Sequence, residues 1–167
     1  MSFDFVKEPV GPAHYEPEGI YLSPPFSGKR LIIQPWDFRP DQDGILYPGG
    51  EPLAGHNGVD FELPPGTEVL ATDQGRVTEI SHDPRGYGRL VRVTHLWGES
   101  IYAHLQGFSV ETGQVVRRGD VLGFSGNSGK PSSPHLHFAI RIHPYDIADG
   151  WHGYTDPRPF LDPDALR

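Results

Sequence analysis

The sequence predicts a mainly β protein folded as a single-domain antiparallel sheet. Three observations predict it. Apolar residues recur at every second position in several short segments, the spacing that places them on one face of a strand. These segments are separated by turn formers, 21 Gly and 18 Pro among 167 residues, which bound strands and seldom sit inside them. No segment carries the 3.6-residue period of a helix of ordinary length.

Along the chain, residues 1–54 read as an irregular lead-in rich in Pro, Gly and aromatics. Within it, RLIIQPW (30–36) is a short strand ended by Pro35, and 39–55 reads as a long loop. Strands dominate 55–142. In VDFEL (59–63), Val59, Phe61 and Leu63 share one face, and Asp60 and Glu62 the other. Pro64, Pro65 and Gly66 then turn the chain. Residues 67–83 read as two short strands around a turn at Asp73, Gln74 and Gly75. Residues 85–108 read as a hairpin, with strands near 90–96 and 100–105 around Trp97, Gly98 and Glu99. Two short apolar stretches follow within 111–124, split by Arg117, Arg118, Gly119 and Asp120, with Asp120 a turn residue. GFSGNSGKPSSP (123–134) is a tight glycine loop. HLHFAIRI (135–142) is the clearest strand. Leu136, Phe138, Ile140 and Ile142 form its core face; His135, His137, Ala139 and Arg141 form the other. The tail, 143–167, reads as mostly irregular, its aromatics packing over a sheet edge.

Composition narrows the function. With 14 Lys and Arg against 22 Asp and Glu, the net charge is −8, which lacks the basic footprint of a general nucleic-acid binder. There is no cysteine, so disulfides and thiolate metal sites are excluded. No stretch is long and apolar enough to span a membrane as a helix. The first residues, MSFDFVKEPVGPAHYEPEG, lack a basic segment followed by an apolar one, so no secretory signal is expected in this chain. A monomer is expected.

Chemistry concentrates on the non-core strand faces. His135 and His137 lie two apart on a strand, so both imidazoles leave the same face. Asp60 leaves the non-core face of its own strand. His56 lies four residues earlier, but Gly58 and the prolines at 64 and 65 exclude a shared helix face. Gly58 instead lets the backbone bring His56 back toward Asp60. In IYAHL, Tyr102 and His104 share a face opposite Ile101, Ala103 and Leu105. Catalytic zinc takes three His, Asp or Glu ligands and keeps an open position. Peptide hydrolysis then needs a base for water and an acid for the leaving amine. Four His and one Asp suffice for both jobs. From the residues alone, which hold a metal and which work beside it stays open. H-E-x-x-H is absent, so this is not the helix-borne zinc site. His95 reads as structural or surface; His14, His82, His143 and His152 fall outside the set. The glycines at 123, 126 and 129 serve turns rather than a phosphate loop.

Four pieces of the sequence carry a resemblance: HNGVDFELPPGTEVLATDQGRV (56–77), GYGRLVRVTHLWGESIYAHL (86–105), GQVVRRGDVLGFSGNSG (113–129) and HLHFAI (135–140). The order H-x-G-x-D, Y-x-H-L, G-x-S-G, H-L-H resembles the M23 metallopeptidases, the lysostaphin/LytM-like peptidoglycan endopeptidases, over roughly 55–142. The resemblance implies the LytM-like (duplicated hybrid motif) sheet with long loops around an open groove. It implies one zinc ion held by His56, Asp60 and His137. His104 and His135 would be the catalytic pair that orients and deprotonates water, stabilises the oxyanion or protonates the amine. Asn57, beside a ligand, and Tyr102, on the face of His104, are candidate substrate contacts. Implied substrates are peptidoglycan stem peptides or cross-bridges, and the implied place of action is the cell wall or the outside of the cell. The alternative is a non-catalytic LytM-like binding or regulatory module; both His104 and His135 are retained, which favours the enzyme. Gly55 departs from the family, which often has a basic or polar residue there, and 1–54 and 143–167 match no pattern.

Overall fold

The structure, a computed structural model, describes residues 9–11, 14–15, 20–38, 45–47, 51–53, 55–84, 86–129 and 133–166. The strands, in chain order, are β1 (Pro9–Gly11), β2 (His14–Tyr15), β3 (Ile32–Gln34), β4 (Ile45–Tyr47), β5 (Glu51–Leu53), β6 (Val59–Phe61) and β7 (Glu68–Leu70). They continue with β8 (Gly75–Asp83), β9 (Gly88–Thr94), β10 (Gly98–Phe108), β11 (Val115–Val116), β12 (Val121–Ser125), β13 (Leu136–Ile142) and β14 (Tyr154–Thr155). Two 3-10 turns, Arg158–Phe160 and Pro163–Ala165, follow. No α-helix occurs among the described residues, in line with the mainly β expectation.

A 10-stranded antiparallel sheet forms the body, in the order β11-β8-β9-β10-β13-β6-β3. Strand β14 adds to β13, and β12 links β10 to β7. The alternation in VDFEL and HLHFAIRI determines the core. Val59, Phe61, Leu136, Phe138, Ile140 and Ile142 enter the main apolar cluster with Val77, Val91 and Val93. Register aligns the two chemistry-bearing strands: His137 stands opposite Asp60 across β13 and β6, and opposite Ala103 across β13 and β10.

The second face is not the open polar surface that alternation alone suggests. Every residue of β13 is buried on both faces. Ile101, Ala103, Ala139, Leu90, Tyr87 and Tyr154 form a smaller cluster there, with Trp36 packed against it. The flanking segments supply the cover. Tyr154 is buried in β14, while Ile20, Leu22, Phe26, Phe160 and Leu161 join the main core, and Leu22 bridges to Leu161. Residues 143–167 were expected to be mostly irregular, but 154–155 pair with the sheet because Tyr154 has an apolar face to cover.

The expected loop over 39–55 also differs. Ile45–Tyr47 and Glu51–Leu53 pair antiparallel, two short strands in sequence on either side of the turn formers Pro48, Gly49 and Gly50. The rest of that loop (39–44, 48–50 and 54), the first 8 residues of the lead-in and the 130–132 part of the glycine loop lie outside the described residues. Asp120 is a turn residue as expected, its carboxylate accepting from the Arg117 N–H at 2.8 Å. His95 is structural. It is bonded through its ring nitrogens to Gln74 O and Ser100 Oγ, and it stacks on Trp97 at 4.6 Å.

Candidate metal centre

Three side chains converge at one end of the second face. His56 comes from the turn before β6, Asp60 from β6 and His137 from β13. Their facing atoms form a near-equilateral triangle. His56 Nε2 is 3.1 Å from His137 Nδ1, His137 Nδ1 is 2.9 Å from Asp60 Oδ1, and His56 Nε2 is 3.3 Å from Asp60 Oδ1. Ligands at 2.0–2.1 Å from a tetrahedral ion stand about 3.3–3.4 Å apart. The triangle therefore has the size of three corners of such a shell, drawn slightly inward. All three residues are buried, at 8%, 4% and 3% exposure, so two nitrogens and a carboxylate oxygen crowd together away from water. The donor set is nitrogen and carboxylate oxygen, with no soft sulfur. These residues fit a divalent metal ion.

Protonation suits the same role. Burial by itself would raise the Asp60 pKa, but contact with the His137 and His56 rings outweighs it and holds the carboxyl well below the usual range. Burial pushes His137 down, toward its neutral form. A carboxylate and neutral imidazoles are the states a metal requires. The His56 ring donates Nδ1–H to Pro35 O at 3.0 Å, which leaves Nε2 as the lone-pair atom.

Gly58 is required for space rather than for flexibility. Its backbone is not left-handed. A Cβ there would lie 2.5 Å from Phe138 O, 2.8 Å from His137 Cε1 and 3.0 Å from His137 Nε2. The glycine of H-x-G-x-D is the floor on which the His137 ring lies. Tyr87 also packs on the ring, stacked on His137 at 5.1 Å, and its hydroxyl accepts from Asn57 Nδ2 at 2.5 Å. Asn57 is thus 2% exposed and bonded to Tyr87.

The two remaining histidines flank the triangle. His135 donates Nδ1–H to Ser133 O at 2.8 Å, and its Nε2 lies 3.4 Å from Asp60 Oδ2. His104 donates Nδ1–H to Ser128 O at 2.7 Å. The two rings meet edge-on at 4.7 Å. Burial, followed by the neighbouring His137, pushes His104 down to about 4.

His104 reaches this place by a route that alternation misses. On β10, Tyr102 and Leu105 are three apart, yet their β9 partners Val91 and Arg89 are only two apart. One extra residue is inserted: a β-bulge. Tyr102 and Leu105 both face the main core, and His104, at φ 64, turns to the side of Ala103 and His137. Its N–H is held by Tyr87 O at 2.8 Å. Beside it, Gly88 at φ 64 lies so close to Ser128 that a Cβ would come within 2.4 Å of the Ser128 carbonyl carbon. That contact seats the carbonyl that His104 uses.

The bulge also corrects the reading of Tyr102. It does not line the site. It is fully buried in the main core against Phe138, and its hydroxyl accepts from Thr72 N–H at 2.9 Å and from Ser100 Oγ–H at 2.9 Å. Sequence reasoning also missed Tyr87 and the carbonyls of Pro35, Ser128 and Ser133. Tyr87 stands in the quoted G-Y-G piece and could have been weighed there; backbone carbonyls leave no mark in a sequence.

Fold and site together define an antiparallel β protein with a buried His/Asp/His centre able to chelate a metal. The chain belongs to peptidase family M23, whose model matches residues 54–149. It is 43% identical over 88 residues to the DD-carboxypeptidase/endopeptidase Mpg of Neisseria meningitidis, covering 52% of this chain and 20% of that protein. It is 38% identical over 100 residues to the peptidoglycan DD-endopeptidase ShyA of Vibrio cholerae, covering 58% of this chain and 23% of that protein. The catalytic domain of lysostaphin from Staphylococcus simulans superposes with a TM-score of 0.60 at 30% identity, covering 75% of this chain and 88% of that domain. The chain thus spans about a fifth to a quarter of the length of these two whole relatives.

Proposed function

We propose that this chain is a zinc-dependent endopeptidase that hydrolyses peptide bonds in peptidoglycan stem peptides or cross-bridges, acting at the cell wall. The triangle of His56 Nε2, Asp60 Oδ1 and His137 Nδ1, with edges of 2.9–3.3 Å, carries the reading. Two neutral nitrogens and one carboxylate leave a divalent ion with net positive charge. Zinc, when bound, supplies a Lewis acid that polarises a peptide carbonyl and makes water acidic near neutral pH.

His104 and His135 handle the protons. Each donates Nδ1–H to a carbonyl, so Nε2 is the accepting atom in both. His104 is neutral at pH 7, and its Nε2 takes the proton of the attacking water and returns it to the departing amine. Such a positioned acid–base group contributes about 10²–10⁴-fold in rate. Asn57 acts by bonding Tyr87, which backs the His137 ring. The described flanks work with the sheet, since Trp36 and Tyr154 pack on the face that carries the site. Similarity to proteins named for peptidoglycan and DD-peptide cleavage supports the substrate class. No helix among the described residues is long and apolar enough to cross a membrane.

The test is cleavage of purified muropeptides by wild type and His104→Ala, alongside zinc analysis and chelator treatment. His104→Ala retains one equivalent of zinc and loses cleavage by the factor above; chelator abolishes cleavage by wild type. A fully active His104→Ala, or cleavage that ignores chelator, refutes the mechanism. Zinc bound with no muropeptide cleaved points instead to a binding module.

A further inference from the structure

We infer that Asp37 and Trp151 form a strap that presets the metal ligand His56. The inference rests on the metal reading above and adds positioning residues to it. The turn at 35–38 doubles back on His56. Asp37 N–H donates to His56 O at 2.9 Å, His56 N–H donates to Phe38 O at 3.0 Å, and His56 Nδ1–H donates to Pro35 O at 3.0 Å. One turn thereby engages the backbone N–H, the backbone carbonyl and the Nδ1 of His56, and directs Nε2 at Asp60 and His137.

That turn needs a fastener. Asp37 sits at φ 60, a left-handed conformation that is strained for an L-residue, although Asp and Asn visit it more readily than most. Trp151 Nε1–H donates to Asp37 Oδ1 at 3.2 Å, and the Trp151 ring stacks on Trp36 at 6.0 Å and 26°. Gly55 packs directly against the strap. A Cβ there would lie 2.1 Å from Asp37 Oδ1 and 3.0 Å from Asp37 Cα. Any side chain at 55 would press on the Asp37 carboxylate and crowd its backbone, so the strap would have to shift to admit one. Residues 35–38 and 151 lie outside the 54–149 family match. The strap is therefore built from this chain's own flanks, from segments more than a hundred residues apart.

Asp37 and Trp151 touch no reacting atom; they act through His56. Zinc affinity of the folded full chain is measured by competition with a chromophoric chelator, well below each variant's melting temperature. Asp37→Ala and Trp151→Phe each weaken zinc binding by about 10–100-fold, the usual scale for groups that orient a ligand. Trp151→Phe removes the N–H and keeps the stack. Asp37→Asn keeps an acceptor and tolerance for the left-handed backbone, and binds within about threefold of wild type. Imidazole ¹⁵N shifts of the zinc-free protein show His56 in the Nδ1–H form in wild type and a mixture in Asp37→Ala. Wild-type affinity in both Asp37→Ala and Trp151→Phe overturns the strap. An Asp37→Asn as weak as Asp37→Ala also overturns it. A wild type that binds no zinc overturns the metal reading itself, whatever the variants do.

Discussion

Replacing Gly58 by alanine adds one methyl group at the tightest point of the site. The new Cβ would stand 2.5 Å from Phe138 O and 2.8 Å from His137 Cε1. The carbonyl belongs to β13 beside its partner β6 and cannot retreat without breaking the sheet. The His137 ring is the part that can give. Restoring ordinary contact moves it about 0.6 Å, from 2.8 to 3.4 Å. Metal–ligand distances tolerate only about 0.2 Å. The ring is also stacked on Tyr87, which limits how far it can move. Overpacking of this kind costs about 1–3 kcal/mol. In a chain of this size that lowers the melting temperature by about 3–9 °C. Zinc affinity falls by at least about tenfold, since 1.4 kcal/mol of lost ligation already gives that factor. Melting of the metal-free protein and zinc competition, run side by side, measure the two effects. Wild-type values in both would refute the claim that Gly58 is the floor of His137.

Two predictions concern parts of the molecule beside the metal. Tyr102→Phe leaves kcat/KM on muropeptides unchanged but destabilises the fold by about 1–3 kcal/mol, because the buried Thr72 N–H loses its acceptor; denaturant titration checks it, and a fall in activity without a fall in stability would return Tyr102 to the site. The metal-free protein loses stability as pH falls from about 6.5 toward 4. His95, His104 and His137 all have folded pKa values below the ordinary value, chiefly through burial. The unfolded chain therefore takes up protons first. Their contribution is full above the unfolded pKa and is lost as pH falls through the folded one. Urea titrations at pH 7.5 and 5 measure it, and equal stability at the two values would contradict it.

Much of the site was legible because its strands are regular. A residue two along a strand returns to the same face, so HLHFAIRI placed His135 and His137 together and aimed Leu136 and Phe138 at the core. The same rule put Asp60 opposite Val59 and Phe61. These placements needed no knowledge of neighbours. The His56 placement needed more, since it precedes the strand, and Gly58 was read as a hinge when its role is to make room for a ring from β13.

Composition, alternation and motif order by themselves determined that the chain is a β protein with imidazoles and a carboxylate on the non-core side of its strands. Tertiary structure decided which of them meet. Strict alternation puts His104 with Tyr102 and away from Ala103, and one inserted residue in β10 reverses this. A bulge is a property of two strands counted against each other, so one strand read alone cannot reveal it. The tautomers of His56, His104 and His135 were decided in the same way, by carbonyls of Pro35, Ser128 and Ser133. Every residue carries such a carbonyl, and only folding determines which imidazole it faces.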